Sequence, residues 1–159
     1  MSPATRIDPA SVSSPTPTRA AKTYVAAIAI NATAEEVWAV LTDGSRYLEW
    51  NTTVLRFDGD IVEGKTVTLV AKVSPERPFA VKVKKLDAPH LMVWSGGMPL
   101  RLFTGERRFT VVARPQGGVT LTIEEHFRGL LAPLFLRSMP DLQSAFDDFA
   151  SDVKRRVEG

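Results

Sequence analysis

The chain has 159 residues, 44% of them hydrophobic, and no cysteine, so disulfides, thiolate metal sites and thiol nucleophiles are excluded. Its 20 basic and 18 acidic residues leave a formal charge of +2, and no block of one sign gives a footprint for nucleic acid or an anionic membrane. No apolar run reaches the roughly 18 residues of a membrane span, and no apolar stretch follows a charged start as in a secretory leader.

The length suits one domain able to bury on the order of 70% of its unfolded surface, and a cysteine-free chain suits a reducing cytoplasm, the expected location. Residues Ser2 to Arg19 are rich in Ser, Thr, Pro and Ala, with only Ile7 and Val12 as large aliphatics. Such a segment cannot bury enough apolar area to offset its ordering entropy, so residues 1–21 are expected as a disordered tail and 22–159 as the domain.

Lys22 to Ile30 reads as the first strand, with Tyr24, Ala26, Ile28 and Ile30 on one side. A helix follows, where Thr33 and Glu36 make a capping box ahead of Val37, Trp38, Val40 and Leu41. Asp43-Gly44-Ser45 ends it, and Arg46 to Trp50 forms a second short helix. Strands are then expected at Val54 to Phe57, Val67 to Val73, Phe79 to Leu86 and Leu91 to Trp94, separated by turn signals. Gly96-Gly97-Met98-Pro99 is expected as a loop. Two long strands, Arg101 to Ala113 and Val119 to Arg128, flank Pro115-Gln116-Gly117-Gly118.

Beyond Gly129 the pattern is helical. Leu142, Phe146, Phe149, Val153 and Val157 form one apolar stripe at spacings of three and four. Pro140 interrupts it, since proline removes a donor and clashes with the previous turn. Either Gly129 to Ser138 is a separate short helix, with the main helix starting near Pro140, or one helix is kinked there. In the first case Leu130, Leu131, Leu134, Phe135 and Leu136 form a lid or a partner patch. Strands joined by short turns are antiparallel. The class is therefore α+β: a curved antiparallel sheet of about seven strands around a long C-terminal helix.

The string Ile30-Asn31-Ala32-Thr33-Ala34-Glu35-Glu36-Val37-Trp38, followed by Tyr47-Leu48-Glu49-Trp50-Asn51, resembles the opening of the START-like (SRPBCC) superfamily. Gly105-Glu106-Arg107-Arg108-Phe109, Gly117-Gly118-Val119-Thr120 and Glu125-His126-Phe127-Arg128-Gly129-Leu130-Leu131 resemble the end of its polyketide cyclase/dehydrase-like bacterial group. The resemblance covers residues 22 to 157. It implies the helix-grip fold and a cavity between sheet and helix for sterols, lipids, polyketides or other hydrophobic molecules. It implies no single chemistry, because the superfamily mixes carriers, sensors and cyclases.

In the last strand Val119, Leu121, Ile123, Glu125 and Phe127 alternate with Thr120, Thr122, Glu124, His126 and Arg128, and the apolar set is expected inward. Phe103, Gly105, Arg107, Phe109 and Val111 form the inward set of the strand before it. Arg107 and Glu125 can then meet inside, as a polar anchor for a ligand carbonyl or hydroxyl, as stabiliser and general base of an enzyme, or as an ion pair that fixes register. A shift of one residue would bring in Glu124, Arg108 and His126 instead. Trp50 lies where the family's opening motif places an aromatic near the cavity. Phe79, Trp94, Met98, Phe103, Phe109, Phe127 and Phe146 are candidate ligand contacts or plain core. His90 and His126 are expected at the surface, and neither a metal site nor a cofactor is expected.

Three functions follow: a carrier or sensor of a small hydrophobic molecule, a polyketide cyclase- or dehydratase-type enzyme using the same cavity, and an interaction module using Leu130 to Leu136. No nucleic-acid partner and no membrane span are expected, and the chain is expected as a monomer or homodimer.

Overall fold

The structure, a computed structural model, describes residues 21–159. The expected tail lies outside them except for Ala21, whose amide donates to the Phe127 carbonyl at 2.8 Å. Seven strands form one antiparallel sheet: β1 (Lys22–Ile30), β2 (Val54–Asp58), β3 (Thr66–Ala71), β4 (Pro78–Asp87), β5 (Leu91–Met98), β6 (Phe103–Ala113) and β7 (Val119–Arg128). Their spatial order is β1-β7-β6-β5-β4-β3-β2. β2 to β7 are a meander, and β1 lies beside the last strand. The chain must therefore cross the sheet between β1 and β2, and helices α1 (Ala34–Thr42) and α2 (Tyr47–Trp50) make that crossing.

Thr33 starts α1 as the sequence predicts. Its hydroxyl accepts the Glu36 amide at 3.2 Å, and the Glu36 carboxylate accepts the Thr33 amide at 2.8 Å. Register shifts at Val54/Arg56 and Val83/Lys85 insert one extra residue in β2 and β4. Such bulges bend the strand and raise its twist, which helps a wide sheet curl.

The helix-grip architecture follows from two matched apolar surfaces. Along α4 (Gln143–Glu158) and the residue ahead of it, Leu142, Phe146, Phe149 and Val153 are buried and Val157 is half-buried. On the facing strands Leu121, Ile123 and Phe109 have no exposed surface. Each such side chain contributes about 1.5–3 kcal/mol when fully buried. α4 packs chiefly along β1, with further contacts to α1, β7 and α2.

Two expectations are corrected. Gly96 to Met98 do not form a loop; they continue β5, pairing with Gly105, Thr104 and Phe103. Glycine is depleted in strands, so its composition hid the ladder. Arg101 does not open β6, because Pro99–Arg101 is a 3-10 turn and the strand begins at Phe103. At Pro140 the chain splits into two helices. α3 (Ala132–Ser138) ends at Met139, whose φ −83° and ψ 142° are extended, as a residue before proline prefers.

Candidate functional site

The concave face of the sheet is laid out by strand pairing. One row runs Glu125 (β7), Arg107 (β6), Trp94 (β5), Val83 (β4). The next row, two residues along each strand, runs Phe127, Gly105, Gly96, Val81. Gly105 and Gly96 bring no side chain to the middle of that second row. The floor there is backbone, with Phe103 and Met98 paired on one side of it and Arg107 and Trp94 on the other. Gly96, Gly105, Val81 and Phe103 are all half-buried, and the side chains of Val81, Glu125 and Phe127 lie close over the two glycines, so this trough is a shallow gap in the side-chain layer.

Its polar end is the Arg107–Glu125 pair. Arg107 Nε donates to Glu125 Oε2 at 2.5 Å. The side chains are 30% and 11% exposed, so the carboxylate is the more enclosed partner. A carboxylate among apolar side chains is costly unless paired. The guanidinium carbon of Arg107 also sits 4.6 Å from the centroid of the Phe146 ring, within cation–π range. Glu125 Oε1 lies over the trough floor: a Cβ placed on Gly105 would stand 2.9 Å from it. Among the described residues Arg107 bonds to Glu125 through Nε alone, which leaves its two terminal nitrogens to another acceptor.

Trp94 adds a third group. It is 3% exposed, and its indole Nε1 has no hydrogen-bond partner among the described residues. Buried donors are nearly always paired, so this indole N–H, on the residue paired with Arg107 across β5 and β6, is a donor left unsatisfied.

The remaining sequence candidates divide. Phe127 stacks on Phe103 with centroids 5.6 Å apart, and Phe103 lies 5.2 Å from Phe135 of α3, so these rings close one end of the trough. Phe79 and Met98 are 38% and 40% exposed, at the edge and not enclosed. Phe109 and Trp50 do not reach the trough. Phe109 is fully buried between Trp94 and Phe149, at 5.0 and 5.8 Å. Trp50 packs on Tyr47 and Phe149, at 5.0 and 5.6 Å. This part of the interior, expected to be hollow, is occupied by rings. At its centre the Tyr47 hydroxyl donates to the Leu41 carbonyl at 2.5 Å, and burial pushes that hydroxyl's pKa far up. His126 faces away from the trough and lies 3.1 Å from the Thr23 hydroxyl, so the alternative register does not occur.

Two recesses lie elsewhere. One of about 210 Å³ opens between α4 (Ser144, Ala145, Asp148) and the β2–β3 edge (Thr53, Lys72, Val73). The other, of about 450 Å³, lies between α2 and the end of α4, lined by Leu48, Trp50, Asn51, Arg155 and Arg156. Among the described residues no group of three His, Cys, Asp or Glu is arranged to hold a metal.

A family described as polyketide cyclase/dehydrase and lipid transport matches the chain over residues 21–158. The chain belongs to that family. No curated protein matches this family member in sequence. Its fold is shared by solved structures at low identity. An aromatase/cyclase, Zhui from Streptomyces sp. R1128, is 13% identical with a TM-score of 0.68, covering 86% of this chain and 93% of that one. A truncated norcoclaurine synthase from Thalictrum flavum is 14% identical with a TM-score of 0.66, covering 86% and 92%. A START superfamily protein from Mycobacterium smegmatis is 15% identical with a TM-score of 0.64, covering 86% and 97%. At these identities the likeness establishes the START-like fold and no more.

Two parts of this site leave little trace in the sequence. Gly105 belongs to the inward set of β6, where a glycine inside a strand marks a close approach. Gly96 lies in a glycine-rich run that reads as a loop. Nothing in the sequence could show that the two glycines are paired, because that depends on the register of β5 against β6.

Proposed function

We propose that this family member binds a small, largely apolar molecule in the trough over Gly96 and Gly105, as a carrier or sensor. The ligand has a carbonyl or hydroxyl that meets Arg107, Glu125 and the Trp94 indole. The observation that carries this reading is a hydrogen-bonded Arg–Glu pair beside two adjacent strand positions without side chains, on an otherwise apolar sheet face. A few placed polar groups in an apolar concavity are the usual make-up of a small-molecule site. The family's description, polyketide cyclase/dehydrase and lipid transport, supports the same ligand class.

A second reading, an enzyme of cyclase or dehydratase type, draws on the position of Glu125 Oε1 over the floor. There it could take a proton from a bound carbonyl compound while Arg107 holds the developing oxyanion. Cyclases among the fold neighbours support this reading only by analogy.

Native mass spectrometry of the purified chain tests binding. A bound small molecule, lost in Arg107→Met and in Gly105→Ala, is the expected result. A ligand retained in both variants places the site elsewhere. Glu125→Gln separates the two readings: it tunes affinity in a carrier and abolishes turnover in an enzyme.

A further inference from the structure

The tip of the β5–β6 hairpin and the β7–α3 connection meet beyond the Phe103, Phe127 and Phe135 rings. The amide of Leu131 donates to the Leu102 carbonyl at 2.8 Å, and the Arg101 and Leu102 carbonyls stand where a side chain on Gly129, at φ +122°, would go. A side chain on Gly129 would lie 2.5 Å from the Leu102 oxygen, so only glycine allows this approach. The joined segments and the α3 helix that follows carry three exposed leucines: Leu100 at 90%, Leu130 at 83% and Leu134 at 64%. Leucines this exposed, on segments joined by a backbone hydrogen bond, point to an interaction surface.

Backbone strain points the same way. Leu100 and Arg101 are consecutive non-glycine residues in the left-handed region, at φ 60° and 56°. Each costs about 1 kcal/mol or more, and Asn or Gly would relieve it. Here the strain supports an exposed leucine that contributes nothing to the core.

The charge around the leucines selects the partner. Arg101 in the hairpin tip, Arg128 at the end of β7 and Arg137 in α3 are all exposed. Residues 88–105 and 126–140 contain no Asp or Glu. These arginines form no block in the sequence because they lie in three separate segments. A second copy of this chain is a poor occupant, since a two-fold contact would set these arginines against themselves.

We propose that this rim is a docking surface for an anionic lipid bilayer. Leu100, Leu130 and Leu134 enter the acyl boundary while Arg101, Arg128 and Arg137 meet the headgroup phosphates. Docking of this kind needs only the rim, so it stands or falls separately from ligand binding in the trough.

Flotation of the full chain with vesicles tests it. The chain is expected to float with vesicles of phosphatidylcholine and phosphatidylglycerol in equal parts, to stay behind with phosphatidylcholine alone, and to be released by added salt. Leu130→Asp should weaken partition roughly tenfold or more, and Arg101→Ser about fivefold. Leu100→Asn removes the apolar side chain while easing the backbone. It should lower partition and leave the melting temperature unchanged or raised. Equal flotation on both vesicle types, no flotation, or a dimer that Leu130→Asp dissociates in light scattering would each overturn the proposal.

Discussion

Arg107 and Glu125 face each other across directly paired positions of β6 and β7, and Phe146 of α4 covers the guanidinium. One ion pair thus ties the sheet to the helix and forms the polar end of the trough. Its energetics are lopsided, because Glu125 is the more buried partner. Arg107→Met should destabilise the fold by about 2–4 kcal/mol, chiefly by leaving a carboxylate enclosed without a counter-charge. Arg107→Met with Glu125→Leu should recover most of that loss. Urea denaturation of the two single variants and the double variant gives the coupling, and single-variant losses under about 0.5 kcal/mol would refute a buried pair.

The trough floor can be tested by adding one methyl group. In Gly105→Ala the new Cβ would stand 2.9 Å from Glu125 Oε1 and 3.2 Å from Phe127 Cε1. Something must shift, at a cost of about 1–3 kcal/mol. The carboxylate is the mobile neighbour and should move off Arg107. A crystal structure of Gly105→Ala is expected to show that displacement, and an unmoved Glu125 would mean that the floor has slack.

Asp152 is a pin that the sequence does not reveal. It sits on α4 at 3% exposure, and its Oδ2 accepts the Thr52 amide at 2.7 Å and the Thr52 hydroxyl at 2.8 Å. Arg155 donates to its other oxygen. Asp152→Ala should cost about 2–3 kcal/mol, as expected when a hydrogen-bonded carboxylate is removed from buried partners. Asp152→Asn should cost less, because it keeps one acceptor. Thermal unfolding compares them, and equal losses would mean that packing, not acceptance, is what Asp152 supplies.

How far the sequence reaches depends on whether a feature is periodic or relational. Thr33 with Glu36, the inward set of β7 and the α4 stripe are set by spacing along one segment, and each was legible. The meeting of Arg107 with Glu125 was legible because a short turn joins their strands and fixes the register. Nothing in the spacing along α4 marks Asp152 as buried. Only the α2–β2 connection, which brings Thr52 against α4, makes it buried. The ring cluster of Tyr47, Trp94, Phe109 and Phe149 occupies space that was expected to be hollow. Side-chain volume in three dimensions decides that, and alternation carries no volume.

The end of α4 should loosen on acidification. Glu158 accepts the Asn31 amide at 2.8 Å and the Lys154 ammonium at 2.8 Å, and Lys154 also donates to the Ala29 carbonyl at 2.7 Å. The Asn31 amide bond is the larger cause, with Lys154 second, and together they hold the Glu158 carboxyl below its ordinary value. A depressed folded-state pKa gives stabilisation that is complete above the unfolded value and is lost as pH falls through the folded one. The loss therefore belongs below the ordinary glutamate range and not near neutrality. The Asn31 amide resonance, followed by NMR against pH, should titrate with a midpoint below that range, and Glu158→Gln should remove the titration. A midpoint at the ordinary glutamate value would show that the carboxylate does not hold the β1–α1 turn in solution.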